Sequence, residues 1–131
     1  MKFEKDTLYI WVGGSCDYGH KELAGGGAYI AQQLETDSKD CSNATTVDTY
    51  TCAEFNTTEF KMIFAVMNHA LEKFAGRPIV FLSNVQYIMN FEKKDLVDLK
   101  ILPYHKYPQQ QQVHEMASNA MRKLRNSKAE S

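Results

Sequence analysis

Few side chains in this sequence are candidates for chemistry, and their spacing narrows them further. Three cysteines, Cys16, Cys41 and Cys52, are odd in number and never fall in a C-x-x-C spacing. That pattern suggests neither a disulfide framework nor a zinc knuckle, and free thiols in a reducing cytoplasm are the simplest reading. Of the four histidines, His20 and His69 have no partner pattern, while His105 and His114 stand nine residues apart in the C-terminal third. Glu59 follows Asn56 by three residues, as in a capping box, so its carboxylate has a structural use at a helix start as well as a chemical one. Arg122, Lys123, Arg125 and Lys128 make the C-terminal end basic. Such a cluster suits contact with a phosphate backbone, and it equally complements the dipole of a closing helix.

The elements that must position these groups are legible from pattern. Thr7 to Val12 reads as a strand buried on both faces, and Gly13-Gly14-Ser15 ends it. A polar turn over 17–27 closes in Gly25-Gly26-Gly27, and Ala28 to Leu34 suits a second strand. The acidic stretch from Glu35 to Thr45 is a hairpin loop. In the third strand, Val47 to Phe55, alternation puts Val47, Thr49, Thr51, Ala53 and Phe55 on the packed face. Phe60, Ile63, Phe64, Met67, Leu71 and Phe74 then recur at helical spacing after the Asn56 cap, and Gly76 and Pro78 stop the helix. Ile79 to Leu82 is a short buried strand, Val85 to Phe91 a helix, and 99–105 a last strand weakened by Pro103. Val113, Met116, Ala117, Ala120, Met121 and Leu124 mark a closing amphipathic helix, and the four glutamines at 109–112 carry no evident role. The order βββ-α-β-α-(β)-α gives an α/β domain: a mixed five-stranded sheet, three antiparallel strands and then parallel additions, with helices packed on it.

Composition agrees with one folded domain over residues 1–126, with a frayed tail over 127–131. The chain has 131 residues, 44 % of them hydrophobic and 24 % charged, enough to build a single core. A formal net charge of -1 provides no global attraction to nucleic acid or to anionic membranes. The start lacks the apolar region and cleavage site of a signal peptide, and no apolar run is long enough to span a bilayer. A cytoplasmic protein is expected, so the sequons at Asn43 and Asn56 carry little weight.

Five strings, in order, resemble those of the type 1 ribonuclease H family. Trp11-Val12-Gly13-Gly14-Ser15-Cys16 is similar to its first-strand T-D-G-S-C, and Gly25-Gly26-Gly27-Ala28 to its G-G-x-G-A. Asn56-Thr57-Thr58-Glu59 resembles N-N-x-x-E at its first helix, and Leu82-Ser83-Asn84-Val85-Gln86-Tyr87-Ile88 resembles T-D-S-Q-Y-V after its fourth strand. Val113-His114-Glu115-Met116-Ala117 resembles x-D-x-L-A of its last helix. The resemblance covers roughly residues 7–125. It implies a ribonuclease H-like fold and, in active members, cleavage of the RNA strand of RNA–DNA hybrids with two divalent metals held by Asp, Glu, Asp and Asp. The matching positions here are Gly13, Glu59, Asn84 and His114, so Glu59 alone keeps its carboxylate. His105 resembles the loop histidine that assists turnover in the family, and Cys16 the cysteine of its first motif. Ser15, Asn56 and Gln86 lie in the same strings, and with Arg122, Lys123 and Arg125 they are the residues that would touch a nucleic acid.

Two magnesium ions about 4 Å apart need anionic oxygens to offset their repulsion, and one carboxylate does not supply them. Asp17 could replace the missing first carboxylate only through an unusually tight turn, and Glu115 points about 100° away from His114. Glu59, Asn84 and His114 could at most hold one softer ion. No cofactor is therefore expected, with Mg²⁺ or Mn²⁺ binding only to a rebuilt site. Three functions follow as alternatives: a domain without nuclease activity that binds an RNA–DNA hybrid, RNA or a protein; a weak or unusual metal-dependent nuclease; or a purely structural or self-associating domain.

Overall fold

The structure is a computed structural model that describes residues 1–129, with side chains described as far as Ser127. Its centre is a five-stranded sheet in the order β3-β2-β1-β4-β5. The strands are β1 (Leu8–Cys16), β2 (Gly25–Gln33), β3 (Thr45–Glu54), β4 (Ile79–Ser83) and β5 (Asp98–Ile101). β1, β2 and β3 form an antiparallel meander, and β4 and β5 add in parallel beside β1. This is the expected mixed sheet. Helices α1 (Glu59–Lys73) and α2 (Pro108–Ala129) cover its two faces.

Period-2 alternation splits the buried strand residues between two cores. Leu8, Ile10, Val12, Tyr29, Ala31, Ile79 and Phe81 pack with Ile63, Val66, Met67 and Ala70 of α1. Tyr9, Trp11, Ala28, Ile30, Val80 and Leu82 pack with Val113 and Ala117 of α2, and with Phe3 and Tyr107. A sheet covered on both faces explains why β1 reads as apolar almost throughout. The helices come unusually close where β2 carries its glycines. A Cβ at Gly26 would stand 2.2 Å from the Ala117 carbonyl oxygen, so α2 rests on bare backbone there.

Several local expectations change. The second strand starts at Gly25 rather than Ala28, because the glycines are ladder positions under the helices and not a flexible turn. The third strand turns its other face inward: Val47, Thr49 and Thr51 are exposed, and Asp48, Tyr50 and Cys52 are half-buried. Polar partners decide this. The Tyr29 hydroxyl donates to the Asp48 carboxylate, Lys73 pairs with it at 2.9 Å, and Tyr50 stacks on His69 with ring centroids 3.7 Å apart. The cap of α1 is Thr58, whose side chain accepts from the Lys61 backbone N–H at 3.2 Å; Asn56 instead adopts φ 55°, and Glu59 opens the helix. Val85 to Phe91 forms only a 3₁₀ turn over Gln86–Asn90, and a second, shorter one spans Lys94–Leu96. The last strand is the four residues of β5, ending before Pro103. α2 begins at Pro108 and takes in the glutamine tract; Pro at a first helical position loses no hydrogen bond. α2 continues to Ala129, and residues 130 and 131 of the expected tail lie outside the described residues. Among the described residues no helix is long and apolar enough to cross a membrane, and the three cysteines are free.

Candidate functional site

Parallel strands β1 and β4 lie side by side at the middle of the sheet, and their ladder reaches Trp11–Leu82. Gly13, within β1, and Asn84, just past the end of β4, each stand two residues beyond that pair, where the β1–β4 ladder ends and a doubly covered sheet opens a crevice. Ser83 Oγ accepts from the Val85 backbone N–H at 3.2 Å and turns the chain away from β4, leaving Asn84 exposed. The first turn of α1 brings Glu59 to the same place, and the second turn of α2 brings His114. All four positions line one cleft of about 240 Å³, together with Gly14, Ile63, Ser83, Val85, Tyr104 and Gln110.

Gly13 is not in a left-handed conformation; Gly76 is the only glycine with φ between +20° and +160° among the described residues. Its constraint is contact with α2. A Cβ at Gly13 would lie 3.2 Å from the His114 backbone nitrogen and 3.2 Å from Val113 Cγ1, so any side chain there would have to displace the helix slightly. Glu59 is the carboxylate of the cleft. Its backbone N–H donates to Tyr18 Oη at 3.1 Å. The Tyr87 hydroxyl is buried beside the Glu59 carboxylate, and burial together with that carboxylate pushes the phenol up from its ordinary range. Tyr104 stands edge-on to His114, centroids 6.2 Å apart, and edge-on to His105 at 5.0 Å. Gln110 is 1 % exposed, and neither its Nε2 nor its Oε1 has a partner.

The remaining sequence candidates stand elsewhere. Asp17 is held by Arg125 at 2.8 Å and accepts from the Gly19 N–H, and the guanidinium keeps its carboxyl below the usual carboxylate range. It is therefore turned toward α2's far end, which removes it as a replacement carboxylate, and Arg125 is engaged in the same ion pair. Glu115 is exposed and does not line the cleft. Arg122 donates to Asn119 Oδ1 at 3.0 Å, and Lys123 borders a shallow groove with Thr51, Ala53 and Leu124. Ser15 is half-buried at the end of β1, while Asn56, Gln86 and His105 are exposed. The Lys128 side chain lies outside the described residues. Among the described residues no three of His, Cys, Asp and Glu gather closely enough to hold a metal ion.

Tyr104, Gln110 and Tyr87 went unrecognised in the sequence. For Gln110 a signal exists: it precedes His114 by four residues, so the two share a helix face once the helix is known to start at Pro108. The three glycines of β2 are buried beneath the helices.

No protein-family model matches the chain, and no curated protein sequence matches it. Solved structures do. LC9-RNase H1, a type 1 RNase H with the type 2 active-site motif, superposes with TM-score 0.67 at 14 % identity, over 92 % of this chain and 74 % of that one. LC11-RNase H1 in complex with RNA/DNA hybrid gives 0.59 at 11 %, over 89 % and 98 %. The foamy viral protease-reverse transcriptase in complex with RNA/DNA hybrid gives 0.63 at 12 %, over 88 % of this chain and 20 % of that one. The chain has a ribonuclease H-like fold.

Proposed function

We propose that this ribonuclease H-like domain lacks two-metal nuclease activity and serves as a binding module, with nucleic acid as its ligand and a protein partner as the alternative. One observation carries the reading. The four cleft positions Gly13, Glu59, Asn84 and His114 present a single anionic oxygen group between them, and α2 closes on Gly13 where the first carboxylate would need to stand. A neutral amide and an imidazole cannot offset the repulsion of two hard cations. The residues present therefore do not fit a two-magnesium centre. Support for nucleic acid comes from fold neighbours solved with RNA/DNA hybrids. The formal net charge of -1 and the Arg125–Asp17 pair favour a second reading, a structural or self-associating role. The three free cysteines suit a reducing cytoplasm.

The test incubates a labelled RNA–DNA hybrid with the protein in Mg²⁺ or Mn²⁺ at neutral pH, and measures hybrid binding by anisotropy at low and moderate salt. The expected result is no product above a Glu59→Ala control, with binding that weakens as salt rises. Product above that control would overturn the loss of activity; absence of hybrid binding at low salt would leave the structural role as the better reading.

A further inference from the structure

The cleft carries polar groups besides the Glu59 carboxylate. Gln110 lines it at 1 % exposure, and neither the donor nitrogen nor the acceptor oxygen of its buried amide has a partner among the described residues. Leaving a buried amide unsatisfied is costly, and native structures rarely do so without a ligand, a water or a role. Around it stand the Asn84 amide, the His114 imidazole, the Glu59 carboxylate and the ring of Tyr104.

Those groups limit what could enter. A divalent cation finds one carboxylate, and an anion such as phosphate meets that same carboxylate as a repulsive charge. An apolar molecule would leave both Gln110 atoms unpaired. At about 240 Å³ the cleft is smaller than the ~300–1,000 Å³ of a drug-sized pocket, so the ligand is one compact ring system. It should be neutral, flat enough to lie among the Tyr104 and His114 rings, and bear a donor and an acceptor side by side. A nucleobase has all these properties: planar amides pair with base edges through one donor and one acceptor, and unstacked bases are held on aromatic side chains.

We propose that the cleft between β1, β4 and the first turns of α1 and α2 takes a single unstacked nucleobase, read by the Gln110 amide and flanked by Tyr104. This rests on the nucleic-acid reading above and specifies where such a ligand would be sensed. The base is supplied either by a free nucleoside or by an end or loop of a single strand, and the two share the recognition chemistry.

The experiment titrates the full chain with adenosine, guanosine, cytidine and uridine in turn, and with a single-stranded hexaribonucleotide, following side-chain amide resonances by NMR. The Gln110 resonance is identified by its loss in Gln110→Leu. At least one nucleoside is expected to shift that resonance saturably at millimolar concentration. Binding by nucleoside alone marks a free-nucleoside site, and binding by both marks a base of a strand. Gln110→Leu removes two unpaired atoms and should fold at least as well, while weakening binding by about tenfold or more. Tyr104→Leu, in the loop before α2, should weaken it without touching the core. A Gln110 resonance unmoved by every nucleoside and by the oligomer, or nucleoside-induced shifts at other residues of the cleft that are undiminished in Gln110→Leu, means the cleft reads no base through Gln110 and overturns the proposal. If the hybrid still binds uncleaved in that case, the base pocket fails while the binding-module reading stands; cleavage of the hybrid would overturn that reading instead.

Discussion

At the scale of single residues, Asp17 shows how chain context reassigns a side chain. By sequence it stands four positions after Gly13, in reach of the place Gly13 occupies only through a tight turn. In the fold, Asp17 and Arg125, 108 residues apart, join the β1–β2 loop to the far part of α2. The folded carboxyl titrates below its unfolded range, with the Arg125 hydrogen bond as the main cause. A carboxylate whose pKa is lowered on folding contributes stability above its unfolded pKa of about 3.9, and that contribution is lost as pH falls through the folded pKa. Asp17→Asn should therefore melt below the wild type at pH 7, and thermal scans down to about pH 2 should show the gap closing. Raising salt should narrow it too, because the pair is partly exposed. A gap that is the same at acid and neutral pH would mean the pair contributes nothing through charge. Gln110 makes the opposite point: four consecutive glutamines look like solvated filler, and only the early start of α2 buries the second of them in the cleft.

At the scale of elements, the start of α1 moves the cap from Asn56, where the sequence places it, to Thr58. Asn56-Thr57-Thr58-Glu59 offers three capping residues in a row. Asn56 takes a left-handed conformation instead, with its backbone N–H donated to the Glu22 carbonyl at 2.6 Å, and Thr58 caps the helix. Thr58→Ala should cost about 1 kcal/mol and lower Tm by about 2–6 °C in a thermal scan. Were Asn56 the cap, Thr58 would sit inside the first turn, where alanine is a better helix former, and the same change would leave Tm unchanged or raise it. Element order was legible because periodicity reports burial: the apolar β1 and the amphipathic α1 each follow from spacing alone, whereas Gly13-Gly14-Ser15, expected to end the first strand, lie inside it, because β1 stays paired with β2 as far as Cys16. What stayed hidden depended on distant partners. The inward face of β3 is set by Tyr29, Lys73 and His69 rather than by its own apolar count. The glycines of β2 look like a turn until two helices are known to rest on them. The 85–91 segment is too short for propensity to outweigh the turn that Ser83 imposes.

At the scale of the whole molecule, four separate segments converge on one cleft. β1 and β4 place Gly13 and Asn84, α1 places Glu59, and α2 places His114. The four strings that carry these residues were readable in the sequence; the room available at each was not. Asn84 is exposed at a strand end, and Asn84→Asp is nearly isosteric there. His114 is exposed on α2, and His114→Asp removes bulk. Gly13→Asp is different, because its Cβ meets the backbone of α2 at 3.2 Å, and overpacking of that kind costs about 1–3 kcal/mol. The better repair therefore leaves Gly13 alone. The double variant Asn84→Asp, His114→Asp would set three carboxylates, with Glu59, around the cleft. Without metal they repel and lower Tm; with one hard divalent ion they supply the anionic oxygens it requires. Millimolar Mn²⁺ should then raise Tm of the double variant by several degrees through mass action, and leave the wild type unmoved. The triple variant that adds Gly13→Asp should melt lower than the double one in chelator, because α2 must shift to admit the side chain. A folded double variant whose Tm ignores Mn²⁺ would show that Asp at 84 and 114 cannot reach a common ion with Glu59. The shape of the cleft, and not its charge alone, would then exclude a shared ion, with α2's close approach to Gly13 as the structural reason.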